Sequence, residues 1–200
     1  YWTGITALDL SKNTALGKLN CSYNSIGTLD LSNNKALFSL SCYNCELGSL
    51  DLSNNTELEE AVVKNNELTS LTVSSNTKLL LLDVQNNEQL KSIDASMLTD
   101  LEELQCSYTG LTTLDVTYNT KLVKLICSNN KLTTLDLSKN TLLERLFCDG
   151  NQLTSLDLSN NTKLNYLECS GNGMSACALN DLYYNLPKCS TTPTLSLIHI

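Results

Sequence analysis

Basic side chains are scarce in this chain: 13 Lys and Arg stand against 21 Asp and Glu, a formal net charge of −8. They also occur singly. Nothing in the sequence therefore builds the clustered positive surface that nucleic acid or an anionic membrane needs, and nucleic acid is not an expected partner. Histidine is represented by His199 alone, near the end of the chain. No Ser-His-Asp or Cys-His pair can be assembled around it, and acidic pairs such as Glu59-Glu60 and Glu102-Glu103 read as solvated charge, so no enzymatic activity and no cofactor are expected. No apolar run is long enough to span a bilayer, and Tyr1-Trp2-Thr3-Gly4 lacks the character of a signal peptide.

What the chain has instead is repetition. The pattern Leu16-x-x-Leu19-x-Cys21-Ser22-x-Asn24-x-Ile26-x-x-Leu29-Asp30-Leu31-Ser32-x-Asn34 is followed by seven near copies. The first leucine recurs as Leu37, Leu58, Leu79, Leu101, Leu122, Leu143 and Leu164, a period of about 21 residues, which is that of a solenoid. One step, between Leu79 and Leu101, is a residue longer. A half copy from Ile5 to Asn13 precedes the first full one, so the chain is expected to begin inside a coil, with its natural beginning missing.

Nine cysteines would suggest a disulfide framework, but six of them share one column: Cys21, Cys42, Cys106, Cys127, Cys148 and Cys169. Val63 and Val84 fill that column in the other two copies, so the site calls for a small buried hydrophobe, which a free thiol also is. Alternation within Leu-x-Cys predicts a short strand with leucine and cysteine inward and the middle residue outward. Stacked coils then form a parallel sheet with a ladder of reduced thiols inside. Cys42-x-x-Cys45 has redox or zinc spacing, but Cys42 belongs to the ladder and no second pair or histidine accompanies it; no metal site is assigned.

Asn24, Asn66, Asn87, Asn130, Asn151 and Asn172 stand where the chain leaves the strand, as buried carboxamides that satisfy a turn. Cys45 and Thr109 interrupt this column, and an altered hydrogen-bond arrangement is expected at both. The second half of each copy also alternates, so the opposite wall is extended or tightly turned and not helical. It carries an aspartate row, Asp9, Asp30, Asp51, Asp94, Asp115, Asp136 and Asp157, whose mutual repulsion calls for hydrogen bonding within each turn or for cations. Residues 1–174 are thus read as the array and 175–200 as a C-terminal cap. The cap comprises a helix over about 176–186, started by Ser175, and a strand over about 194–200. Cys177 and Cys189 within it are the better candidates for a disulfide.

The run from Leu122 to Ser138, Leu-Val-Lys-Leu-Ile-Cys-Ser-Asn-Asn-Lys-Leu-Thr-Thr-Leu-Asp-Leu-Ser, resembles the cysteine-containing, internalin J-like class of bacterial leucine-rich repeats, and the likeness extends from about Ile5 to Met174. Leu179-Asn180-Asp181-Leu182-x-x-x-Leu186-Pro187 is similar to the cap of surface or secreted repeat proteins of gut Bacteroidetes. The resemblance implies a right-handed leucine-rich repeat solenoid with little helix outside the cap, and binding or adhesion at an extracellular or cell-surface location. It transfers no ligand residues, because such proteins use variable positions.

Those variable positions lie around each Leu-x-Cys strand, fixed in space by the scaffold. Val62, Asp83, Gln105, Ile126 and Phe147 belong to the central outward column, flanked by Leu81, Tyr108 and Tyr166. Ile126 and Phe147 on adjacent rungs, with both tyrosines nearby, have the composition of an interface anchor; the bland alternative is ordinary cross-strand packing. The expected partner is a protein, of host or cell-surface origin, or a glycan. The other readings are a structural spacer and a glycan-binding repeat domain.

Overall fold

In a computed structural model, which describes residues 4–185 and 198–199, each coil of the array contributes one three-residue strand to a continuous parallel sheet. The strands are β1 (Lys18–Asn20), β2 (Ser39–Ser41), β4 (Glu60–Val62), β6 (Leu81–Asp83), β7 (Glu103–Gln105), β8 (Lys124–Ile126), β9 (Arg145–Phe147) and β10 (Tyr166–Glu168). Leucines stack directly on leucines, with Leu82 opposite Leu104, Leu104 opposite Leu125 and Leu125 opposite Leu146. The longer step leaves this register intact: the extra residue is absorbed beyond β6, where Leu90 closes a turn on the Asn87 carbonyl at 2.9 Å.

The column cysteine follows each strand and prolongs the ladder, the Cys127 N–H donating to the Phe147 carbonyl at 2.8 Å. Cys42, Cys106, Cys127 and Cys148 are fully buried, as are Val63 and Val84 in the same column. Among the described cysteines, Cys21, Cys42, Cys45, Cys106, Cys127 and Cys148 are free thiols inside the core, and Cys177 is a free thiol at the surface. Burial pushes the Cys21 and Cys106 thiols up to about 12 and those of Cys42, Cys127 and Cys148 well above their ordinary value. The candidate Cys177–Cys189 disulfide is not formed, Cys177 being a free thiol, and Cys189 itself lies outside the described residues.

The opposite wall is built from tight turns, with one short parallel pair, β3 (Ser49–Asp51) on β5 (Ser70–Thr72). A second asparagine column holds it together. Asn34, Asn55, Asn76, Asn119, Asn140 and Asn161 each donate from Nδ2 to two carbonyls of the preceding coil, at 2.7–3.1 Å. After the array, Ser175 accepts the Ala178 N–H on its hydroxyl at 3.2 Å and so caps α1 (Ala176–Asn185), which packs Leu182 onto the core. β11 (Ile198–His199) adds to β10 in parallel. The remainder of the expected helix end and final strand lies outside the described residues.

Candidate functional site

The turn leaving each strand is organised by the first asparagine column. Asn66 Nδ2 donates to the carbonyls of Val63 and Cys42, both at 2.8 Å, while its Oδ1 accepts the N–H groups of Cys45 and Leu47 at 2.9 and 3.1 Å. One buried side chain thereby serves four backbone groups that have no ladder partners. Where the column is broken the bonding changes. The Cys45 thiol points to the Cys21 carbonyl at 3.3 Å, and the Thr109 hydroxyl takes up the Cys106 carbonyl at 2.8 Å. In both coils the next residue, Glu46 or Gly110, turns to positive φ (59° and 77°).

On the sheet face the outward column runs in register through Val62, Asp83, Gln105, Ile126 and Phe147. Ile126 and Phe147 are adjacent and half-buried, and Phe147 stacks on Tyr166 with ring centroids 4.6 Å apart. Tyr108 stands half exposed on the rim, beyond the strand. Asp83 differs from its neighbours, being only 3% exposed. Its carboxylate is taken up by Lys64 at 3.2 Å and by the Gln85 side chain at 3.1 Å, and Gln85 also bonds Gln105, which in turn bonds Glu103. Lys124 closes the chain on Glu103 at 2.7 Å. Asp83 and Gln105 thus spend their hydrogen-bonding capacity on fixing the face.

Along the leading edge of the same sheet lies a groove of about 440 Å³, with Leu80, Leu81 and Val123 in its lining and Glu60, Glu102 and Arg145 among its charged residues. Phe38 and Leu80 are among the exposed apolar side chains on that edge (37% and 38%). Leu81 was legible from the strand pattern; Leu80 and Val123, one residue before the strands, were not. A second groove, of about 570 Å³, follows the trailing rim of the first coils and brings Tyr23, Asn44, Glu46, Asn65, Glu67 and Asn86 together. Its signal in the sequence is the run Tyr23, Asn44, Asn65 and Asn86, two residues after the column cysteine or valine of the first four coils.

The aspartate row resolves into local turns. In each of the seven coils the carboxylate Oδ1 accepts the backbone N–H two residues on, at 2.9–3.1 Å. Hydroxyl and backbone bonds hold the carboxyls of Asp9, Asp30, Asp94, Asp115, Asp136 and Asp157 below the usual range. The hydroxyl contributes most at Asp9, Asp94 and Asp115, and the backbone N–H at Asp30, Asp136 and Asp157. Among the described residues no group of His, Cys, Asp and Glu is placed to hold a metal ion, and no helix is long and apolar enough to cross a membrane.

No protein-family model and no curated protein matches the chain. Solved structures do. The functional domain of InlJ from Listeria monocytogenes, described as including a cysteine ladder, is 38% identical with a TM-score of 0.86 over 92% of this chain. The chain spans 40% of that one's length. A leucine-rich repeat protein of Leptospira interrogans (18% identity, TM-score 0.68, 91% of this chain and 60% of that one) and the internalin InlF of Listeria monocytogenes (24%, 0.63, 88% and 61%) share the fold. With leucine rungs in register and buried thiols rising through the coils, the chain has the leucine-rich repeat fold and is similar to the cysteine-ladder domain of InlJ.

Proposed function

We propose that this chain is a non-catalytic protein-interaction module of a surface or secreted bacterial protein, and that it contacts its partner through the outward face of the nine-stranded sheet. The observation that carries this reading is the patch formed by Ile126, Phe147 and Tyr166, in which two stacked rings and an aliphatic side chain sit on adjacent rungs. Such a rigid aromatic cluster loses little side-chain entropy on binding and has the composition of an interface anchor. Beside it, the groove lined by Leu80, Leu81 and Val123 extends the apolar contact area toward the leading edge. The hydrogen-bonded chain from Lys64 to Lys124 holds the centre of the face in one arrangement before any partner arrives.

The test is a binding screen of the purified chain against an array of purified extracellular protein domains, repeated with an Ile126→Ala, Phe147→Ala double variant. The module reading expects at least one bound domain and at least a tenfold loss of affinity in the double variant, with melting temperatures of the two proteins close together. A chain that captures nothing, or whose capture ignores the double substitution, is a spacer.

A further inference from the structure

The trailing rim carries aromatic side chains at a backbone position that disfavours them. The residue two beyond the column cysteine or valine has φ between 53° and 65° in all eight coils. Six of those residues are the kinds that tolerate this region: Asn44, Asn65, Asn86, Asn129, Gly150 and Gly171. The other two are Tyr23 and Tyr108, each a bulky residue under strain there. Burial does not offset that strain, since the two side chains remain 49% and 50% exposed.

From Tyr23 to Asn86, one coil short of Tyr108, the rim groove of about 570 Å³ presents a consistent chemistry. The Tyr23 ring meets Tyr43 edge to face with centroids 5.0 Å apart. The carboxamides of Asn44, Asn65 and Asn86 rise along the lining, Asn86 Nδ2 donating to Asn65 Oδ1 at 2.6 Å. Glu46 and Glu67 supply carboxylates, the first held by the Ser25 hydroxyl at 2.8 Å. None of the described residues lining the groove is Lys or Arg, so phosphate or sulfate would meet carboxylates with no compensating cation. Flat rings suit the C–H faces of sugars, while carboxamides both donate to and accept from hydroxyls. With coils ~4.8 Å apart, four steps from Tyr23 to Tyr108 cover about 19 Å, which suits an extended ligand.

We propose that this rim binds a linear, neutral oligosaccharide, with Tyr23 and Tyr108 stacking on sugar faces and Asn44, Asn65 and Asn86 exchanging hydrogen bonds with its hydroxyls. The site is separate from the Ile126–Phe147 patch and stands whether or not that patch binds a protein. Calorimetric titration of the chain with cellohexaose, chitohexaose and mannohexaose tests it, with a heparin-derived hexasaccharide as the anionic comparison. Saturable heat is expected from at least one neutral sugar, at least tenfold weaker in Tyr23→Asn and in Tyr108→Asn, and unchanged in Phe147→Ala. Tyr108→Asn is expected at the same time to raise the melting temperature, because asparagine occupies the same turn position at Asn86 and Asn129. No heat from all three neutral sugars, a preference for the anionic one, or full affinity in both tyrosine variants overturns the proposal.

Discussion

Asn130 Nδ2 donates to the carbonyl of Cys106, 24 residues earlier, at 2.8 Å. The same carboxamide also bonds the Cys127 carbonyl at 3.0 Å and accepts the Thr109 and Leu111 N–H groups at 3.2 and 3.1 Å, so a single side chain closes the turns of two successive coils. Truncation strands buried backbone groups at roughly 1–3 kcal/mol each. Asn130→Ala is therefore expected to cost about 3 kcal/mol or more, read as a shift in the urea midpoint. Asn140→Ala is expected to cost less, because Asn140 serves only two carbonyls and its own buried Oδ1 has no hydrogen-bond partner.

Alkali is expected to unfold the array through its thiols. A folded-state pKa of about 12 at Cys106, against 9.0 for an ordinary thiol, means that the protonated form is favoured by folding. Its contribution is complete below pH 9 and is lost between about 9 and 12, at about 1.4 kcal/mol per pH unit for each such group. Cys106→Val should flatten the fall in melting temperature over that window. In the native protein at pH 8, a thiol reagent should leave Cys42, Cys106, Cys127 and Cys148 unmodified while reacting at Cys177, and denaturant should expose all nine cysteines.

Acid acts on the other wall. The carboxyls of Asp30, Asp115, Asp136 and Asp157 are held below the ordinary value of 3.8, so their contribution is present above that value and is lost as pH falls through the depressed one. The melting temperature is expected to decline below about pH 4, more steeply than in a variant carrying Asp115→Asn, Asp136→Asn and Asp157→Asn. Asparagine keeps the oxygen that accepts the turn N–H but does not titrate, so identical pH profiles would show that the row is irrelevant to acid unfolding.

The repeating columns were readable from the chain because every coil poses the same physical problem at the same place. Leu104 and Leu125 must fill one interior, and Val84 stands where other coils have a cysteine such as Cys106 because only size and apolarity are demanded there. What happens at Cys45 and Thr109 was readable as a disturbance, but not in its form: the shift of Glu46 and Gly110 to positive φ depends on how the turn closes once the carboxamide is gone. Asp83 was read simply as outward. Its burial follows from Lys64 on the preceding coil and Gln85 beyond its own strand, a convergence that periodicity alone does not predict. Of the trailing rim, the sequence singles out Tyr108 beside the strand face; Asn44, Asn65 and Asn86 carry no such signal, and only the backbone angle they share with Tyr23 and Tyr108 sets the two tyrosines apart.

The side-chain bonds of the asparagine columns have a direction. Asn34 and Asn55 on one wall, and Asn66 and Asn130 on the other, all reach back to main-chain groups of the coil before their own. Each coil is thus completed only by its successor. During synthesis, when the amino-terminal part emerges first, every newly made turn waits about one period for the residue that locks it, so maturation proceeds as a wave trailing the growing end. Removing coils from the front leaves asparagine amides for water to solvate, whereas cutting from the back unlatches the last turn that remains.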